Sequence, residues 1–134
     1  MWIEGVFRLD YTPPPGKPGW GGPLILRNKP TTEGLNYLLD AAFRGIAAAP
    51  NWFLRFIDNT GFSALAGSDT LASHPGWSEF TSIFAPHPAW SPPAAAGGVL
   101  QGPSQTSFTT AAGTIRGLFV TTATTPGGPG ILYA

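Results

Sequence analysis

The sequence has no cysteine, so disulfides, thiolate metal sites and cysteine nucleophiles are all excluded. Charge is almost as scarce: only 10% of the 134 residues are charged, and seven basic residues balance seven acidic ones. No positive field of the kind that gathers phosphates can form, so nucleic acid is not an expected partner. Polar residues interrupt every apolar run well before the roughly 18 residues of a membrane span, and Glu4 and Arg8 follow Trp2 and Ile3 too closely for a signal-peptide core. A soluble product that is not exported by the standard route, and no membrane partner, are therefore expected. A surface with so little charge also suits a chain that is covered in an assembly.

Glycine and proline are abundant, together numbering 33. That share approaches the composition of low-complexity disorder, but 43% hydrophobic and 13% aromatic residues supply the apolar surface that disordered chains lack. The glycines and prolines read as punctuation between short strands, and the length suits one domain, 1–134.

From Trp2 to Tyr11, Ile3, Phe7, Leu9 and Tyr11 alternate with Glu4, Arg8 and Asp10, which is strand patterning. A proline- and glycine-rich loop or arm follows at 12–23, and Pro23 can only begin the next short strand, Leu24 to Leu26. Leu35, Leu38, Leu39, Ala42, Phe43 and Ile46 recur at helical spacing and predict one amphipathic helix over about 32–47. Thr31 or Thr32 caps it, Pro50 stops it, and its apolar stripe is expected to cover a sheet face.

Trp52 to Asp58 reads as an aromatic strand ending in the turn Asn59-Thr60-Gly61. Ser68 or Asp69 is placed to cap a short helical turn through Ala72. Trp77, Phe80, Ile83 and Phe84 mark an extended segment, and 86–98 is too rich in proline, alanine and glycine for a ladder. Ser107 to Thr110 and Thr114 to Thr125 predict adjacent antiparallel strands joined at Ala112-Gly113, and Ile131 to Tyr133 a last strand. The expected fold is mainly β, an antiparallel sandwich or barrel with one helix on a sheet face.

No catalytic constellation assembles from these residues. His74 and His87 flank Glu79, with Asp69 nearby, but the spacing fits no ligand motif and both histidines sit in proline turns, so no metal is expected. Asp69, His74 and Ser78 lack the strand-turn-helix elbow of a nucleophilic serine. Asp58, Asp69 and Glu79 offer carboxylate pairs that any protein offers. The glycine-rich stretches lack the lysine and following helix of a phosphate loop. The reading is of a chain without enzymatic activity or cofactor.

Five tryptophans remain. Trp52 and Trp77 lie in apolar segments and read as core, whereas Trp20 and Trp90 lie in proline-rich loops, where an indole packs on its own loop or on a neighbour. Pro13, Pro14, Pro15, Pro18, Trp20, Pro88 and Trp90 are the candidate interface residues. Prolines suit that role because they lower the entropy lost on binding.

The ordered series 31–40 (Thr31-Thr32-Glu33-Gly34 onward), Trp52 to Asp58, 69–80 (Asp69-Thr70-Leu71 through Ser78-Glu79-Phe80), Pro88-Ala89-Trp90 and 113–119 resembles a family of small tailed-phage virion proteins over roughly residues 28 to 134. The chain departs from that pattern in the proline-rich segments 13–23 and 86–93, and His87 stands where the pattern has arginine. The resemblance implies a capsid decoration, or cement, protein made in the host cytoplasm. Such a protein binds the major capsid protein on the outside of the expanded head, with a homo-oligomer expected and a trimer favoured. The alternative within the same resemblance is a tail, fibre or adhesin module that binds a host-surface glycan through Trp20 or Trp90.

Overall fold

The computed structural model describes residues 5–10, 12–13, 15–16, 22–48, 51–82, 89–100 and 107–133. Strand residues make up 31% of these and helix 11%, and the strand pairing is antiparallel, so the fold is mainly β. Five strands and one helix follow in the order β1 (Gly5–Leu9), β2 (Leu24–Asn28), α1 (Thr32–Phe43), β3 (Trp52–Asp58), β4 (Ala89–Trp90) and β5 (Ile115–Thr121).

β1 and β2 form a two-stranded sheet in which Phe7 faces Leu26 and Leu9 faces Leu24. The second sheet has the order β4-β3-β5, with Leu54 opposite Val120, Phe56 opposite Leu118 and Arg55 opposite Phe119. Side chains alternate across a strand, so β3 and β5 feed two separate apolar clusters. Leu54, Phe56, Leu118 and Val120 join Phe80 on one face, where Phe7, Leu9 and Leu26 of the first sheet pack against them. The Asn28 side chain ties the sheets together by donating to the Leu118 carbonyl at 2.6 Å. On the opposite face Ile57 and Phe119 meet Leu71, Trp77, Ala123 and Leu132, contributed by segments without regular structure. The first sheet thus packs on one face of the second, and no barrel closes among the described residues.

Three expectations are corrected. The helix ends at Phe43, with the last bond running from the Arg44 amide to the Asp40 carbonyl, because Gly45 adopts a φ of 68° and turns the chain out of the helix before Pro50 is reached. The apolar stripe does not cover a sheet face: Leu35, Leu39, Phe43 and Ile46 are all exposed, and Gly34 is the only buried residue of α1. No helical turn begins at Ser68 or Asp69; the Asp69 carboxylate instead accepts from the Ala66 amide and closes a turn.

The C-terminal third is rearranged as well. β5 takes β3 as its partner, whereas Ser107 to Thr110 form no ladder with it; Phe108 instead lays its ring 4.6 Å from that of Phe56. Ile131 to Tyr133 contribute one bridge, Leu132 to Thr121, rather than a strand. Ile83 and Phe84 lie outside the described residues.

Helix α1 is instead fastened by its first turn. Thr31 caps it by accepting from the Gly34 amide at 3.0 Å, and its hydroxyl donates to the Leu132 carbonyl at 2.5 Å. Thr31→Ala removes both bonds, so the unfolding free energy should fall by about 1–2 kcal/mol while Thr31→Ser keeps most of it. Paired urea titrations would check this; equal midpoints for the two variants would contradict the capping role.

Candidate functional site

Three of the sequence candidates for chemistry, Asp69, His74 and Glu79, lie near one another along 69–79, and each is tied into the fold. Asp69 is buried, and its carboxylate accepts from the indole N–H of Trp77 at 2.9 Å as well as from Ala66. A buried indole needs such a partner, and here the carboxylate anchors the largest side chain of its cluster. His74 stacks on Trp77 with ring centroids 3.9 Å apart, and its Nδ1 lies 2.9 Å from the Trp77 carbonyl. A carbonyl only accepts, so Nδ1 is the donor in this bond.

Glu79 has the more consequential role. One oxygen accepts from Nη1 of Arg55 at 2.7 Å, and the other accepts from the Gly127 amide at 3.3 Å. Both side chains of the ion pair are almost fully buried. Arg55 sits mid-strand in β3, on the face shared with Ile57 and Phe119, where its Nε and Nη2 have no partner among the described residues. Sequence reading missed this pair, since an arginine within Trp52 to Asp58 carries no mark of burial and lies 24 residues from its partner.

His74, Ser78, Glu79, Thr81, Pro126 and Gly127 line an open cleft of about 360 Å³. Asp69 does not reach it, so the triad imagined from Asp69, His74 and Ser78 is not assembled there. Among the described residues no group of three histidine or carboxylate side chains is placed to hold a metal ion. His87 lies outside the described residues.

The interface candidates divide in the same way. Pro14, Pro18, Trp20 and Pro88 lie outside the described residues, Pro13 is half-buried and Pro15 is exposed. Trp90 is not in a loop: it lies in β4 opposite Trp52 and packs on the core. Trp52 in turn meets Tyr37 and Tyr133 edge-on at 5.6 and 5.7 Å.

Burial of the Tyr133 phenol raises its pKa above the ordinary value. The unfolded chain then loses this proton first, so the contribution of Tyr133 is fully present below about pH 10 and is lost as pH rises through its folded pKa. Urea midpoints should therefore fall between pH 9 and 11 more steeply in the parent than in Tyr133→Phe. Equal slopes would count against the assignment.

What the surface offers most plainly is apolar area. Val6, Leu24, Ile25, Leu35, Leu39, Phe43, Leu65, Val99 and Leu100 are all exposed. Searches of protein-family models, curated proteins and solved structures find no match to this chain.

Proposed function

We propose that this chain is a structural assembly protein of a tailed-phage particle, a capsid decoration protein that binds the outer surface of the expanded head and stabilises capsomer junctions. The observation that carries an assembly role is the set of large apolar side chains left open, Phe43 at 82% and Leu65 at 61% of their full exposure among them. Exposed aliphatic and aromatic side chains on a charge-poor surface suit covering by protein. The address on the head rests on the resemblance of 28–134 to small virion proteins, with the arm at 12–23 as the segment that reaches a capsid neighbour.

No catalytic role belongs to this proposal, because Asp69 and Glu79 are engaged in holding Trp77 and Arg55. The glycan-binding alternative gains nothing from Trp90, whose ring packs on the core instead of standing free. Purified protein should bind expanded shells saturably and raise their melting temperature, and bind unexpanded shells less. Absence of binding to either shell form would overturn the proposal.

A further inference from the structure

Helix α1 is held to the domain by one end. Gly34 closes on Tyr133, Glu33 accepts from the backbone amides of Leu71 and Leu132, and Tyr37 meets Trp52. Leu35, Leu39 and Phe43 remain open, at 38%, 50% and 82% of their full exposure. Their four-residue spacing aligns them as a single ridge along the helix. We infer that this ridge packs on the same ridge of a second copy of the chain, the two α1 helices running antiparallel about a two-fold axis at Leu39. The inference rests on reading the chain as an assembly component and gives that reading one defined contact.

Three observations favour a second copy over a foreign partner. The ridge is its own complement: Leu35 and Phe43 each lie four residues from Leu39, so a two-fold axis there sets Leu35 of each copy against Phe43 of the other. Charge does not oppose the approach. Asp40 and Arg44 pair within the helix at 3.0 Å, and the whole chain has a formal net charge of zero, so two copies meet without net repulsion.

The area also fits. Counting a whole side chain of this size as about 200 Å², the three residues expose about 350 Å² per copy, or about 700 Å² across the axis. An interface core that is roughly 65% apolar then totals about 1,100 Å². That clears the roughly 1,000 Å² needed for a specific contact and lies near its lower end, where micromolar association is expected.

Sedimentation equilibrium on the purified full-length chain, from about 1 to 300 µM, tests this. The parent should pass from monomer to dimer across that range. Leu39→Glu places like charges on the axis and should raise the dissociation constant at least about 30-fold. An equimolar mixture of Leu39→Glu and Leu39→Lys should recover the dimer, because only a contact on the axis itself brings the two substituted positions together. Phe43→Ser, at a position that contributes almost nothing to the monomer core, serves as a second variant should Leu39→Glu alter the circular dichroism. A parent that stays monomeric, a trimer in place of the dimer, or a dimer indifferent to these substitutions would overturn the inference. The measurement uses the chain alone, so a monomeric parent refutes the pairing while shell binding tests the proposed function separately.

Discussion

Glu79→Ala should lower the unfolding free energy by about 3–5 kcal/mol, because it leaves the Arg55 guanidinium buried without its counter-ion. A domain of this size has about 5–15 kcal/mol in total, so the variant should be partly unfolded at temperatures the parent tolerates. The cost comes from desolvation. Arg55 is 1% exposed and donates to Glu79 through Nη1 alone, so losing that acceptor leaves every guanidinium nitrogen unpartnered among the described residues. The same reasoning predicts recovery. The double variant Arg55→Met, Glu79→Leu removes both charges and should regain most of the loss, since apolar side chains of similar volume can replace a buried pair at little cost. Urea denaturation of the single and double variants measures both effects; a single variant within about 1 kcal/mol of the parent would show that the pair is solvated.

Gly34→Ala is the second large effect, and its sign is opposite to what helix propensity indicates. In an ordinary helix the change would stabilise by about 1 kcal/mol. Here a Cβ at Gly34 would lie 2.6 Å from the carbonyl oxygen of Tyr133 and 2.7 Å from its Cα, and backbone cannot move aside as a flexible side chain does. The same stretch of chain accepts from the Thr31 amide at 2.8 Å, so a shift large enough to admit the methyl also strains the cap. Net destabilisation of about 1–3 kcal/mol is expected, as for overpacking in a core. Calorimetry of Gly34→Ala beside an exposed control such as Asn36→Ala would check it; stabilisation of both would mean that the helix stands away from the C-terminal segment.

These two sites differ in how far the sequence revealed them. The helix was legible from Leu35, Leu39 and Phe43, and its cap from Thr31, because both signals depend on residues within one or two turns. Its end falls several residues before the one that Pro50 predicts, because the positive φ of Gly45 already turns the chain out of the helix. Its orientation was misread for a deeper reason: periodicity reports that a helix has an apolar side but not whether the surface that covers it belongs to the same chain. For the same reason Phe43 counted as core in the sequence and is the most exposed large apolar side chain in α1.

Among the candidates for chemistry, Asp69, His74 and Glu79 were singled out by residue type, and the structure does bring them into one neighbourhood. Their roles were not legible. Nothing local indicates that Asp69 receives the Trp77 indole, that Glu79 pairs with an arginine on β3, or that Glu33 spans from the helix to Leu71 and Leu132.

The sequence by itself determined the class of the protein: mainly β with one helix, a strand within Trp2 to Tyr11 and another at Trp52 to Asp58, and no thiol chemistry. Those properties follow from composition and from short-range alternation, which the backbone geometry of single elements imposes. Only the tertiary structure decided that β5 pairs with β3, that these two strands carry apolar clusters on both faces, that Arg55 and Glu79 meet inside the domain, and that the apolar ridge of α1 faces outward. Each depends on which distant segments come together, and that choice is made by the summed free energy of the whole chain rather than by any local pattern.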